Sequence, residues 1–277
     1  MILRNEIITS RNNPVVKWAS SLADKKGRGE TKCFLAEGVK LTEEALAAAL
    51  PVTHIFVQAD KIDEVLEKYE KYLSGENYRN TEIIGVSASV LDKISTEKSP
   101  QGIISVIKYL DFFRNMDIIY KEEFFLSCDE RAIALCSLRD PGNLGSVIRS
   151  AVAFGVEHIV ISDDCADVYN PKVVRSAMGS LFKLKITIVK DFTSFISAAK
   201  ESGRRVFAAE LRENAKALSD VGLLRSDVVV IGNEGHGIPE ELSNKCTASV
   251  YIPISERTES LNASVAAAVF MWEQSKA

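Results

Sequence analysis

Short apolar runs alternate with stretches of helical period along most of the chain. After a polar turn at residues 9–13, Val15, Val16, Ala19, Leu22 and Ala23 form a stripe at helical spacing, and Asn13 ahead of Pro14 is a good helix start. Lys25 to Glu30 holds two glycines and predicts a loop. Strands are predicted at 33–36, 53–58, 83–86 and 103–107, and helices at 39–50, 62–73 and 88–94. That alternation predicts a small α/β/α domain over residues 1–108. Residues 109–131 hold no clear period and read as a linker. Beyond it, strands are predicted at 133–137, 158–161, 184–189, 205–209, 228–231 and 249–252. Helices are predicted at 143–154, 172–178 and 193–200, and one more closes the chain. This order predicts a second α/β domain over 132–277 with a mostly parallel, doubly wound sheet. The closing helix is apolar on almost every side, which predicts burial all round.

Two strands near the end run into glycine-rich or polar turns. Val228 to Ile231 leads into Gly232-Asn233-Glu234-Gly235-His236-Gly237-Ile238-Pro239. Ser249 to Ile252 leads into Pro253 and on to Ser260-Leu261-Asn262. Ligands of parallel α/β sheets bind at such carboxyl ends of strands.

Composition narrows the class without naming it. The chain has 277 residues, 46% hydrophobic and 26% charged, which fits a globular protein of two domains. No apolar run approaches the roughly 20 residues that span a bilayer, and no signal-peptide core opens the chain. Cysteines 33, 128, 136, 165 and 246 are scattered, predicting reduced thiols in a cytoplasm and no metal site. A net charge of −4 argues against a generally basic nucleic-acid binder. The first 32 residues nonetheless carry seven of the 34 basic residues and three of the 38 acidic ones. That excess is either a solvated face or a patch for phosphate.

Each candidate group also has a bland account. Asp140-Pro141-Gly142-Asn143 makes a turn in which Asn143 caps the following helix. Arg149, on an otherwise apolar helix, is costly to bury unpaired and reads alone as a structural ion pair. Gly232 to Gly235 is a tight turn or a place where a ligand meets backbone. Ser260 ahead of an apolar helix is a good N-cap. His236 is either loop filler or an acid–base group. The aromatic runs 111–113 and 123–125 read as packing, with stacking on unpaired bases as the alternative.

Taken together and in order, three motifs resemble those of the SpoU (TrmH) RNA 2′-O-ribose methyltransferases of the SPOUT superfamily. They are Asp140 to Arg149, Gly232-Asn233-Glu234-Gly235 with Ile238, and Ile252-Pro253 followed by Ser260-Leu261-Asn262. Pro171-Lys172-Val173-Val174-Arg175 and Met178-Gly179 resemble the family too. Glu37-Gly38 and Pro100-Gln101-Gly102 resemble the substrate-binding domain that precedes many of its catalytic domains and is similar to small RNA-binding ribosomal proteins. Without that resemblance, Glu37-Gly38 is a strand-to-helix turn.

The resemblance implies a SPOUT fold with a deep trefoil knot, a homodimer, S-adenosylmethionine as cofactor and RNA, most of all rRNA, as substrate. It implies catalytic or site-forming roles for Asn143, Arg149, Glu234, Ser260 and Asn262. It places Gly232, Asn233, Gly235, Ile252, Ser260 and Leu261 along the cofactor. Arg11, Lys25, Lys26 and Arg28 are the candidates for RNA phosphates. Glu256 departs from the family, where a glycine often stands four residues before the serine. Three competing classes remain. A tRNA substrate is one. A Rossmann nucleotide enzyme is disfavoured by the lack of G-x-G-x-x-G after the first strand of the second domain. A non-catalytic RNA-binding protein would be separated by cofactor binding.

Overall fold

The computed structural model describes residues 1–110, 126 and 130–277, so the aromatic runs 111–113 and 123–125 and most of the expected linker lie outside the described residues. The chain divides into two compact units. One comprises Met1–Leu110 and Asp167–Phe182, the other Asp111–Ala166 and Lys183–Ala277.

The first unit is a five-stranded mixed sheet of β1 (Ile2–Leu3), β2 (Cys33–Glu37), β3 (Val52–Gln58), β4 (Glu82–Val86) and β5 (Ile103–Lys108) in the order β1-β4-β3-β5-β2. β1, β4 and β3 are parallel, and β5 runs antiparallel to β3 and β2. Helix α1 (Pro14–Ser21) starts as its sequence predicts: Asn13 Oδ1 accepts from Val15 N–H at 2.9 Å and Pro14 opens the first turn. Its Val16 and Ala19, with Leu22, join Val90, Leu91 and Ile94 of α5 (Ala88–Ile94) over Leu35, Phe56, Ile84 and Val106. The alternate strand residues Phe34, Ile55, Ile83 and Ile107 are buried as well, and α3 (Val39–Ala47) and α4 (Ile62–Leu73) pack on the sheet. The sequence signatures Glu37-Gly38 and Gln101 meet here, since Gln101 Oε1 accepts from Val39 N–H at the start of α3.

Residues 25–30, expected as a loop, belong to helix α2 (Lys25–Thr31). Two glycines cost a helix about 1 kcal/mol each against alanine, so packing must hold it. A Cβ on Gly27 would lie 2.1 Å from the Ser21 carbonyl oxygen, so only glycine lets α2 approach α1 this closely. Arg28 is 1% exposed. It donates to the Leu22 and Ala23 carbonyls at 2.9 and 2.7 Å and from two nitrogens to Asp167 Oδ2 at 3.1 and 2.6 Å.

Asp167 begins the segment that sequence placed in the second domain and that packs with the first unit. Tyr169 stacks on Tyr109 at 4.0 Å and lies 4.7 Å from Phe34, and its hydroxyl accepts from Leu110 N–H. Asn170 caps α7 (Pro171–Ala177), which packs on β2.

The second unit is a seven-stranded sheet, parallel at every pairing. Its strands are β6 (Ala132–Leu135), β7 (His158–Ser162), β8 (Lys185–Val189), β9 (Val206–Ala209), β10 (Lys216–Ala217), β11 (Val228–Ile231) and β12 (Ala248–Tyr251), in the order β10-β12-β9-β11-β6-β7-β8. The α/β class and parallel sheet expected from the alternation are found. Chain order reverses at β6: β7 and β8 lie to one side and β9 to β12 to the other. Phe192, Phe195, Ile196 and Ala199 of α8 (Phe192–Glu201) cover one face over Ala134, Val160, Ala208 and Val230. α6 (Pro141–Ala153) and α10 (Ala263–Gln274) pack on each other, and α10 also on β11. The short α9 (Glu240–Ser243) packs on α8.

α10 is not buried all round. Ala263, Ala267, Phe270 and Met271 face inward, whereas Val265 and Trp272 are 48% and 50% exposed, with half-buried Ala268 and Val269 between them. No helix among the described residues is long and apolar enough to cross a membrane.

Candidate functional site

The loops leaving β9, β11 and β12 converge on one cavity of about 320 Å³, within the size range of small-molecule sites. It lies over the carboxyl ends of the strands, beside the point where chain order reverses, as the strand-end rule requires. Gly232, Asn233, Glu234, Ile252, Ser260 and Leu261 all line it. Ala263, Ala266 and Phe270 of α10 supply one wall, at positions that share a helix face.

Two caps differ from the sequence expectation, and both corrections release side chains. The cap of α6 is Asp140, whose Oδ1 accepts from Asn143 N–H at 2.8 Å, with Pro141 as the first helical residue. Asn143 therefore sits inside the first turn with its amide free. The cap of α10 is Asn262, whose Oδ1 accepts from Ser264 N–H at 2.9 Å. Ser260 is left without capping duty and is exposed.

The amide of Asn143, freed of capping, ties α6 to the loops after β11 and β12. Its Nδ2 donates to Glu234 Oε1 at 2.7 Å, and its Oδ1 accepts from Asn262 Nδ2 at 3.0 Å. Residues 91 and 119 positions apart in sequence are thus joined by two hydrogen bonds at one rim of the cavity. The bond to the carboxylate is charge-assisted, and solvent at the exposed Glu234 weakens it.

The Gly232–Gly237 turn is built from the inside. Asn233 and Gly237 exchange backbone hydrogen bonds at 3.0 and 2.9 Å. Asn233 Oδ1 accepts from Gly235 and His236 N–H, and its Nδ2 donates to the Ser137 carbonyl at 2.8 Å. A Cβ on Gly232 would lie 2.4 Å from the Gly237 carbonyl carbon, so glycine is demanded by the turn's own backbone before any ligand is considered. Gly235 shapes that turn without lining the cavity, and His236 is exposed.

Other candidates are not gathered. Arg149 lies on α6 about one and two-thirds turns past Asn143. It is exposed, does not line the cavity, and has no ion pair or side-chain hydrogen bond among the described residues, so the structural ion pair is not found. In the first unit Arg11, Lys25 and Lys26 are exposed, Lys26 lying 3.9 Å from Glu30. Arg28 cannot meet phosphate, because its guanidinium is buried and engaged by Asp167 and two carbonyls.

Sequence reasoning missed Glu210 and Leu211, which follow β9 and line the cavity, and Glu259. The strand-end rule applied to β9 would have found the first two. Glu210 accepts from the Ser249 and Ser243 hydroxyls. Thiolate chemistry is disfavoured near the site: burial raises Cys136, and it pushes Cys165 up to about 11.

An all-parallel sheet with a three-loop cavity beside its switch point and a polar cluster at the cavity rim defines an α/β domain with a candidate small-molecule site. The chain belongs to the SpoU rRNA Methylase family, whose model matches residues 130–272, and the MRM3-like substrate binding domain matches residues 13–105. It is 28% identical over 267 residues to the 23S rRNA (guanosine(2553)-2'-O)-methyltransferase RlmP of Bacillus subtilis, covering 96% of this chain and 98% of that protein. The 23S rRNA (uridine(2479)-2'-O)-methyltransferase of Streptomyces viridochromogenes is also 28% identical, over 96% of this chain and 90% of its own. An AdoMet-bound rRNA methyltransferase from Sinorhizobium meliloti superposes with a TM-score of 0.81 at 28% identity, covering 98% of this chain and 97% of that one.

Proposed function

We propose that the chain transfers a methyl group from S-adenosylmethionine to a ribose 2′-hydroxyl of ribosomal RNA. The observation that carries the reading is the Glu234–Asn143–Asn262 chain at the rim of the three-loop cavity, in a member of the SpoU family. The relatives named above act on 23S rRNA at a 2'-O position, and the Sinorhizobium protein binds AdoMet.

The lining suits that cofactor. Ile252, Leu261, Ala266 and Phe270 offer apolar surface to a purine. Glu210, Glu234 and Glu259 line it without a lysine or arginine, which favours a ligand bearing a sulfonium and an ammonium group. Bound there, S-adenosylmethionine supplies an electrophilic methyl group. The protein's work is then to place an acceptor hydroxyl. Glu234 is held in one orientation by Asn143. Ser260, free of capping duty, is available to hydrogen-bond the sugar. Arg149 offers a planar fork of donors and not a base. Its role is to orient the ribose and a neighbouring phosphate and to stabilise negative charge as it develops on oxygen. Arg11, Lys25 and Lys26 add sequence-independent attraction for RNA backbone.

Two further proposals accompany this reading. The closing segment threads a loop of the chain as a trefoil knot. Two copies pair through the apolar stripe Val265, Ala268, Val269 and Trp272, a face that solvent does not otherwise favour.

The test is transfer from radiolabelled S-adenosylmethionine to unmodified rRNA and tRNA. Label in 2′-O-methyl nucleotides of rRNA is expected. Label in tRNA alone would replace the substrate. Neither transfer nor cofactor binding by calorimetry would overturn the enzymatic reading and leave an RNA-binding protein.

A further inference from the structure

A second polar cluster is built into the same end of the sheet. Ser137, just past β6, has φ +57, a left-handed conformation that a non-glycine residue keeps only where its surroundings hold it. Its N–H donates to Ser162 Oγ at 2.8 Å, and its hydroxyl donates to Asp164 Oδ2 at 2.7 Å. Asp164 also accepts from the Ser162 hydroxyl at 2.6 Å and from Arg139 Nη2 at 3.1 Å. One carboxylate thus ties the residue before Leu138, the residue after it, and the end of β7.

The Ser137 carbonyl, whose direction that conformation sets, accepts from Asn233 Nδ2 at 2.8 Å. This bond and the Asn143–Glu234 bond are two braces between the same pair of loops. The first lies where the loops leave β6 and β11, the second where they reach the cavity rim. Releasing the first frees the second to drift.

We propose that Asp164 is a positioning residue for methyl transfer: it holds Ser137 left-handed, keeps the Ser137 carbonyl on Asn233, and so brings Asn143 and Glu234 together. The proposal rests on the functional reading above. Asp164 does not line the cavity and touches neither Asn143 nor Glu234, so it acts through Ser137 and Arg139.

The experiment compares wild type, Asp164→Ala, Asp164→Asn and the double variant Asp164→Ala/Ser137→Gly. Methyl transfer to rRNA is measured with kcat and KM separated, beside melting temperature. Misplacing reacting groups by about 1 Å can cost ~10²-fold, and a fall of that order in kcat is expected for Asp164→Ala, with a smaller change in KM for the cofactor. Asparagine keeps an acceptor oxygen and should recover much of the rate. Adding Ser137→Gly should also recover rate, because glycine enters the left-handed region without penalty.

Wild-type kcat in Asp164→Ala overturns the proposal, as does a loss that neither asparagine nor the added glycine relieves. Should Asp164→Ala not fold, Ser137→Ala reads the same contact: a fall of about tenfold supports the proposal, and a wild-type rate overturns it. A wild-type chain that transfers nothing removes the functional reading, and this proposal with it. An active wild type with an equally active Asp164→Ala removes only the proposal.

Discussion

Arg28 stands on a seven-residue helix of polar residues and glycines and is 1% exposed, whereas Arg149 stands on a thirteen-residue, largely apolar helix and faces solvent. The neighbours in sequence do not decide which arginine is buried. Partners in space do. Arg28 finds a carboxylate and two carbonyls at a helix end, enough to satisfy most of its donors. Among the described residues Arg149 has no such set, and it is exposed on a helix whose Leu144, Val147, Ile148 and Ala151 are core. A satisfied buried cation is part of the frame; an unsatisfied exposed one is free to meet a ligand.

Substitution can break that contrast. The largest effect is expected for Arg28→Met, which strands Asp167 and two carbonyls and should cost roughly 3–5 kcal/mol by denaturant unfolding. Adding Asp167→Asn should return part of that loss, since no charge is then left buried alone. Arg149→Ala should leave stability within about 0.5 kcal/mol. It should nevertheless lower methyl transfer by roughly 10²–10³-fold, the usual consequence of deleting a group that stabilises developing charge. If Arg149→Ala instead unfolds the chain, or Arg28→Met melts like wild type, the division of labour between the two is wrong.

Smaller effects sharpen the picture. Gly232→Ala must displace the Gly237 backbone, and overpacking of this kind costs about 1–3 kcal/mol. Calorimetry should show weaker cofactor binding. The gentlest test is acid. Burial holds His158 below its usual range, with Glu130 pulling the other way, and its Nε2 meets Thr187 Oγ1 at 2.7 Å. As pH falls, the unfolded chain takes up that proton first. Stability is therefore whole above about pH 6.5 and is lost as pH falls from there toward the lower folded value. His158→Gln should flatten that slope in melting temperatures taken between about pH 7.5 and 5.5.

Much of this was legible in the residues. Period and caps gave the strand and helix order, because α1 and α7 carry asparagine–proline starts and the parallel strands are continuous apolar runs. The glycine-rich turn after β11 and the polar turn after β12 pointed to the correct end of the sheet. What stayed hidden was long-range. Helix α2 exists because Gly27 and Arg28 find partners outside it, Asp167 among them 139 positions away. The cap of α6 falls three residues before Asn143 and that of α10 two residues after Ser260, because Asp140 and Asn262 were equally able to serve. The outward apolar face of α10 could not be told from a buried one, since composition does not say which side a neighbour occupies.

The strand order also sets a timetable for synthesis. β11 lies between β9 and β6, and β12 between β10 and β9, so the strands made last enter gaps flanked by strands made earlier. The cavity draws its wall from residues between Ala209 and Phe270. A nascent chain that has extruded the whole first unit and five strands of the second still has no place for a cofactor. Pairing of strands so far apart in sequence is slow. Activity should therefore appear late, after the final helix has left the ribosome, and a growing chain cannot modify RNA at the site of its own manufacture.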